Sequence, residues 1–252
     1  MRDTNADWEK LASENPYWAV LTEDQFKGKA TKETLSSFFQ RGESDVDGLI
    51  SMVGGVFPEF SPPFDTVIDI GCGVGRLLLP MARKAQKAYG IDISQTMRQL
   101  ASQYATKAGF SNVECVATAE ELTSRQVKAD WVSSFIVFQH IEPRIGYFII
   151  NDALQCVKPG GFASLHIPLF KTNDQCKYYN DRVLYFRNDY YFNETVFVDR
   201  DTYTHPDIQM YDYNANTILA LFHKNEMTRV TIIHDRSTSG IHAFYFVGQR
   251  GT

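Results

Sequence analysis

The stretch Val67-Ile68-Asp69-Ile70-Gly71-Cys72-Gly73-Val74-Gly75-Arg76 joins an apolar run to a loop with glycine at every second position. The run over 65–70 is rich in β-branched residues and stops at Gly71, as a buried parallel strand does. Glycine allows a tight turn and lets a ligand approach the backbone. Free N–H groups at the start of a following helix face such a ligand. The stretch therefore predicts a strand, a ligand-binding turn and a helix over 75–87.

The rest of the chain repeats this alternation. Amphipathic segments that begin at Ser94 and Pro143 separate the apolar runs, and a last helix is expected over 214–226. Such alternation predicts an α/β fold with a mostly parallel sheet and helices on both faces. The final two runs, joined by a Ser/Gly turn, predict an antiparallel pair. The six further strands are expected at 89–93, 113–117, 130–138, 162–167, 228–234 and 241–247.

Composition narrows the function classes. The 252 residues are 44% hydrophobic and 22% charged, and the net charge of -5 argues against a nucleic-acid partner. We find no apolar run long enough for a membrane span and no apolar signal core. The four cysteines are scattered and the six histidines are dispersed. We therefore expect a cytoplasmic protein with reduced thiols, without a metal site and without a membrane partner.

Two residues bear on the ligand of the glycine loop. The dinucleotide fingerprint G-x-G-x-x-G requires glycine at position 76, where this chain has Arg76. Asp92 closes the second strand about 20 residues after Gly71, where a carboxylate can accept both hydroxyls of a ribose. The alternative is that Asp92 only helps to start the helix at Ser94.

The loop and Asp92 resemble the first motifs of class I S-adenosylmethionine (SAM)-dependent methyltransferases, in the small-molecule branch, over about residues 64–170. The resemblance implies a Rossmann-like seven-stranded sheet with an antiparallel last strand. It also implies methyl transfer to an O or N atom of a natural product, sugar or metabolite, with S-adenosylhomocysteine (SAH) as product. The cofactor contacts that it implies here are Asp69, Gly71, Cys72, Gly73, Gly75, Arg76, Asp92 and Ile93.

Two later segments resemble further family motifs. Thr118 and Ala119 stand where the family usually has an acid-alanine pair beside adenine, although Thr118 can equally cap a helix. Phe135 is expected beside the cofactor at the end of the fourth strand. His140, in the same segment, is the candidate general base for an acceptor hydroxyl; the alternative is that it orders the loop.

The remaining segments are expected to hold the acceptor. Residues 1–63 resemble a helical lid in which Arg41 would pair with the SAM carboxylate; residues 64–252 would form the catalytic domain. A ring-rich cap is expected at 171–213, although its tyrosines would equally suit packing or a homodimer contact. The candidate acceptor contacts are Tyr17, Trp18, Phe138, Gln139, His166, Tyr178 and Tyr185.

Two other functions remain open from the sequence. One is methylation of RNA or protein, against which the acidic composition weighs, and the other is SAM binding without catalysis.

Overall fold

The computed structural model describes residues 4–171, 182–188, 193–199, 210–235 and 240–252. The chain divides into two compact units, Met1–Ser133 and Ser134–Thr252. Among the helices of these described ranges, none combines the length and apolar character that crossing a bilayer requires.

The first unit begins with helices and continues with alternating strands and helices. A single 3-10 turn, Asp24–Phe26, precedes the longest helix. The helices are α1 (Thr4–Glu14), α2 (Pro16–Val20), α3 (Lys32–Val56), α4 (Leu78–Ala82), α5 (Gln95–Lys107) and α6 (Ala119–Ser124). The strands are β1 (Phe64–Ile70), β2 (Ala85–Ile91), β3 (Val113–Val116) and β4 (Ala129–Ser134).

The second unit opens with a 3-10 turn, Phe138–His140. Its helices are α7 (Pro143–Gln155) and α8 (Ala215–Lys224). Its strands are β5 (Val157–Lys171), β6 (Arg182–Asn188), β7 (Asn193–Asp199), β8 (Met227–His234) and β9 (Ile241–Arg250).

Seven strands form one sheet in the order β3-β2-β1-β4-β5-β9-β8, and β6 pairs with β7 in a separate hairpin. β2 runs parallel to both β1 and β3, whereas β9 runs antiparallel to both β5 and β8. The predicted mostly parallel sheet with antiparallel last strands is confirmed. The strand order reverses beside β1, so the loop after β1 lies where open α/β sheets bind their ligands.

The prediction of a helix over 75–87 is wrong in extent. The helix is α4 alone, and the chain re-enters the sheet at Ala85, earlier than the expected strand start at 89. Phe64 pairs with Ala85 in the parallel register, and its amide donates to the Lys84 carbonyl at 2.8 Å. Sheet pairing therefore overrides the helical periodicity of the sequence.

The fourth strand is also shorter than the predicted 130–138, because the chain turns after Ser134. Ile136 has a φ of +59°, a left-handed conformation that a β-branched residue rarely adopts. The segment after β4 that contains Phe135 and Phe138 is thus a turn rather than a continued strand.

Helix α3 packs closely on the start of α4. Thr31 caps α3 by accepting a hydrogen bond from the Thr34 amide, and the buried face repeats at helical spacing through Phe38, Gly42 and Val46. A Cβ atom at Gly42 would lie 2.1 Å from the Arg76 carbonyl oxygen. Glycine at this position therefore permits the helix to touch the backbone that follows the glycine loop.

Gly42→Ala is expected to lower the free energy of unfolding by roughly 1–3 kcal/mol, since a new methyl group in a packed site forces the backbone apart. Urea denaturation followed by circular dichroism measures the change. Gly48→Ala is the matched control, because a Cβ added at Gly48 on the same helix would meet no packed neighbour within 4 Å. That control should gain up to about 1 kcal/mol from helix propensity. Equal effects of the two substitutions would contradict the close packing at Gly42.

Candidate functional site

The glycine loop joins the ends of β1 and β2. The amides of Gly71 and Cys72 both donate to the Ile91 carbonyl oxygen, at 2.7 and 3.0 Å. Gly73 has a φ of +53°, and a Cβ there would lie 2.8 Å from Val20 Cγ2 at the end of α2. Both the turn and the approach of α2 therefore require glycine at this position.

Asp92 lies directly beside this loop. Its Oδ2 accepts a hydrogen bond from the Gly73 amide, and its Oδ1 accepts one from the Ser94 amide, each at 2.9 Å. Burial raises the pKa of Asp92, and the two backbone hydrogen bonds oppose that shift. Because each carboxylate oxygen has two lone pairs, both can accept a further hydrogen bond. Asp92 thus contacts the start of α5 and still has lone pairs for a ribose. Ribose binding by Asp92 stays a prediction.

A second carboxyl lies beneath the loop. Asp69 is 2% exposed, and its Oδ2 has no hydrogen-bond partner among the described residues. Burial raises the pKa of Asp69 to about 8, against the lowering effect of Arg76. Arg76 is itself buried and pairs with Asp45 of α3. The guanidinium is therefore tied to the helix that packs on the loop.

Helix α1 contributes a contact that the sequence did not reveal. Glu9 accepts hydrogen bonds from the hydroxyls of Ser94 and Thr96, at 2.6 and 2.5 Å, and from the Thr96 amide at 3.3 Å. These bonds lower the pKa of Glu9. A carboxylate from the start of the chain thereby satisfies the first turn of α5, immediately after Asp92.

The predicted adenine contacts lie at the start of α5 and α6. Ile93 is 42% exposed and follows Asp92. Thr118 caps α6, since its hydroxyl accepts a hydrogen bond from the Glu121 amide, and Ala119 is buried in the first turn. The capping alternative for Thr118 is therefore observed, and its adenine contact stays a prediction.

The predicted lid residues are placed among the helices of the first unit. The Tyr17 hydroxyl bonds to that of Tyr104 on α5, and its ring meets Phe38 edge to face at 5.6 Å. Trp18 is 6% exposed. Arg41 pairs with Glu23 at the surface. Their roles toward SAM or an acceptor stay predictions.

Two of the candidate residues, Phe135 and His166, meet in the second unit. Phe135 lies 5.4 Å from the His166 ring and stacks on Tyr245 at 6.2 Å between centroids. His166 is 4% exposed, and its Nε2 lies 3.1 Å from an Asp235 carboxylate oxygen. No motif in the sequence pointed to Asp235, because the contact depends on β8 and β5 lying in one sheet.

The neighbouring turn holds Phe138, Gln139 and His140. Phe138 is fully buried, with its ring edge to face with Tyr213 at 5.8 Å. The Gln139 side-chain nitrogen lies 2.8 Å from His140 Nε2. Since an amide nitrogen only donates, Nε2 accepts this bond. Of the predicted cap residues, Tyr178 lies outside the described residues, and so does the side chain of Tyr185 in β6.

Residues 67–161 match the family model described as a methyltransferase domain. This segment is therefore similar to methyltransferase domains. The match confirms the predicted resemblance to methyltransferases, since the glycine loop and Asp92 both lie within the matched residues.

One curated relative is a ubiquinone biosynthesis O-methyltransferase from Chelativorans sp. (strain BNC1). It is 36% identical over 106 residues, which cover 41% of this chain and 41% of the relative. The chain thus matches about two fifths of the length of the curated relatives.

Two solved structures share the fold along nearly their whole length. The magnesium protoporphyrin IX methyltransferase from Synechocystis PCC 6803 with bound SAH has a TM-score of 0.61 and 18% identity, and the match covers 99% of this chain and 100% of that one. The N-methyltransferase NodS from Bradyrhizobium japonicum WM9, in complex with SAH, has a TM-score of 0.61 and 13% identity over 100% of both chains. At such identities the likeness shows the fold alone.

Asp69→Asn should make stability less sensitive to pH. Folded Asp69 keeps its proton up to about pH 8, whereas the unfolded chain releases this proton at about pH 4. The folded state therefore binds more protons over this interval, and rising pH destabilises it through this group. Between pH 5 and 8, the wild type should lose more than about 1 kcal/mol relative to Asp69→Asn in urea denaturation.

Asp65→Asn is the control for this pH series, because Asp65 is an exposed carboxylate on the same strand. Its curve should follow that of the wild type. Parallel curves for Asp69→Asn and the wild type would contradict a buried, protonated Asp69.

Proposed function

We propose that this protein is a SAM-dependent methyltransferase that methylates an oxygen or nitrogen atom of a small molecule. The observation that carries the proposal is the placement of Asp92, which is held by the Gly73 and Ser94 amides directly beside the glycine loop. Both of its oxygens retain a lone pair, and a ribose presents two adjacent hydroxyls.

The residues around the loop fit this cofactor. The loop has no side chain at Gly71, Gly73 or Gly75, and its backbone is partly exposed at Gly71, where a ligand can approach it closely. Two carboxyls lie in this region, the buried Asp69 and the half-buried Asp92, and the buried guanidinium of Arg76 is already paired with Asp45. Because Asp69 keeps its proton, Asp92 is the carboxylate beside the loop that can accept hydrogen bonds from a ligand.

When bound, SAM supplies an activated methyl group on a sulfonium. We assign the ribose to Asp92, the adenine to Ile93 and Ala119, and the backbone contacts to the glycine loop. The chain itself has to position the acceptor and exclude water, and proximity of this kind lowers reaction barriers by up to roughly 7–11 kcal/mol. A base is required only where the acceptor loses a proton in the reaction, as a hydroxyl does.

Two imidazoles, those of His140 and His166, are candidates for that base. His140 is the residue that the motif predicts, and its Nε2 accepts a hydrogen bond from Gln139. His166 Nε2 lies 3.1 Å from an Asp235 carboxylate oxygen, a contact that orients the imidazole ring. The names of the curated relatives, which specify O-methylation, support a hydroxyl acceptor.

Asp92→Asn should weaken the binding of SAH by about tenfold to a hundredfold, since one or two hydrogen bonds to a charged acceptor are lost. Isothermal titration calorimetry measures the dissociation constant. Asp47→Asn, an exposed acidic residue on α3, is the control and should bind SAH as the wild type does. Unchanged binding by Asp92→Asn, or no binding by the wild type, would sink the cofactor assignment.

Methyl transfer is tested with methyl-labelled SAM and an extract divided into small molecules, RNA and protein. We expect label in the small-molecule fraction, resistant to RNase and protease. Label that RNase or protease releases would favour a macromolecular substrate, and SAM binding without any transfer would favour a non-catalytic protein. Among products of the small-molecule fraction, loss of label with His166→Gln but not with His140→Gln would assign the base to His166.

A further inference from the structure

Two cysteines meet beneath the glycine loop. Cys72 belongs to the loop and is buried, whereas Cys115 lies on β3 and is partly exposed. Their mutual contact raises the pKa of Cys72 and lowers that of Cys115, although 43 positions separate them in the sequence. Neither has a role in the proposed methyl transfer beyond the loop position of Cys72.

A glycine on the strand between them makes this contact possible. Gly90 on β2 lies directly opposite Cys115 in the parallel register. A Cβ at Gly90 would lie only 2.7 Å from Cys72 Sγ and 3.1 Å from Cys72 Cβ. The side chain of Cys72 therefore fills the space of the missing side chain at Gly90. Neighbouring strands are about 4.8 Å apart, so the thiol comes to lie alongside Cys115.

We propose that Cys72 and Cys115 form an oxidisable pair that hydrogen peroxide converts to a disulfide, and that this disulfide weakens cofactor binding at the glycine loop. The disulfide itself is independent of the proposed function, whereas its effect on the cofactor rests on it.

Disulfide formation by peroxide requires one thiol that is exposed and readily ionised and a second thiol beside it, and the two cysteines differ in this way. Hydrogen bonds from Cys72 and Ser102 lower the pKa of Cys115, which is also the more exposed of the pair. The contact with Cys115 and burial raise the pKa of Cys72. Cys115 is thus the thiolate that peroxide reaches first, and Cys72 is the resolving thiol.

The reaction balances in two steps. The Cys115 thiolate attacks one peroxide oxygen; the O–O bond breaks, Cys115 becomes a sulfenic acid, and hydroxide leaves and takes up a proton to form water. Cys72 then attacks the sulfenic sulfur as its thiolate; the S–S bond forms, and the S–O bond breaks with release of a second water. Two thiols are oxidised by two electrons in total, and one peroxide is reduced to two waters.

The loop cannot stay unchanged when this bond forms. A disulfide brings its sulfurs to about 2.05 Å, far closer than two thiols that are only in contact. Cys72 lies between Gly71 and Gly73, whose amides hold Ile91 and Asp92. Pulling Cys72 toward β3 therefore displaces the same amides that place Asp92 beside the loop.

The test treats the reduced full-length protein with hydrogen peroxide and measures SAH binding by isothermal titration calorimetry. Peptide mapping should find a 72–115 disulfide, with a mass loss of about 2 Da. The dissociation constant for SAH should rise about tenfold or more, the worth of one hydrogen bond, and recover with dithiothreitol.

Cys115→Ser is the diagnostic variant, because it leaves the loop sequence intact. It should bind SAH as the reduced wild type does and keep that affinity after peroxide. Cys156→Ser removes a different buried thiol and should remain sensitive to peroxide.

Three results would overturn the proposal: no 72–115 disulfide, a disulfide without a change in affinity, or equal peroxide sensitivity in Cys115→Ser. Failure of the reduced wild type to bind SAH would instead refute the proposed function, and with it the effect on binding. The mapped disulfide would then stand on its own.

Discussion

The amides of Gly71 and Cys72 donate to one carbonyl oxygen, that of Ile91, and the amide of Gly73 donates to Asp92. These three hydrogen bonds fasten the end of β1 to the end of β2. Buried amides require partners, so the loop conformation is fixed by the strand pairing below it rather than by its own sequence alone. Because Asp92 accepts one of these bonds, the candidate cofactor residue is also part of the scaffold.

The helices at the start of the chain are built around the same region. Gly42 lets α3 touch the Arg76 backbone, and Asp45 on that helix neutralises the Arg76 guanidinium. From the other side, Glu9 satisfies the first turn of α5. A buried arginine and a helix start are both costly without partners. The leading helices therefore complete the site structurally, whatever they contribute to the ligand.

The parts that could be predicted from the sequence are those governed by local rules. The strand before Gly71 follows from its β-branched run, and Ser94 caps α5 as expected, since its hydroxyl accepts from the Met97 amide. The extent of α4 was mispredicted, because the pairing of Ala85 with Phe64 is a tertiary constraint.

The contacts of Glu9, Cys115 and Asp235 could not have been predicted from their spacing. Each joins segments that are distant in sequence, and each depends on strand register or helix packing. For the contact of Cys115 with Cys72, the sequence does contain one signal, Gly90. A glycine within a strand often marks the close approach of another chain segment.

The contrast between sequence position and tertiary contacts also bears on which histidine is the candidate proton acceptor, His140 or His166. A neutral imidazole has one lone pair, and the pair on His140 Nε2 is engaged by the Gln139 amide. A carboxylate only accepts, so the bond to Asp235 places the His166 hydrogen on Nε2 and the lone pair on Nδ1. That Nδ1 is buried and has no hydrogen-bond partner among the described residues. A buried acceptor without a donor costs roughly 1–3 kcal/mol. Sequence position thus favours His140, whereas the hydrogen bonds favour His166, because only its lone pair is available without breaking an existing contact.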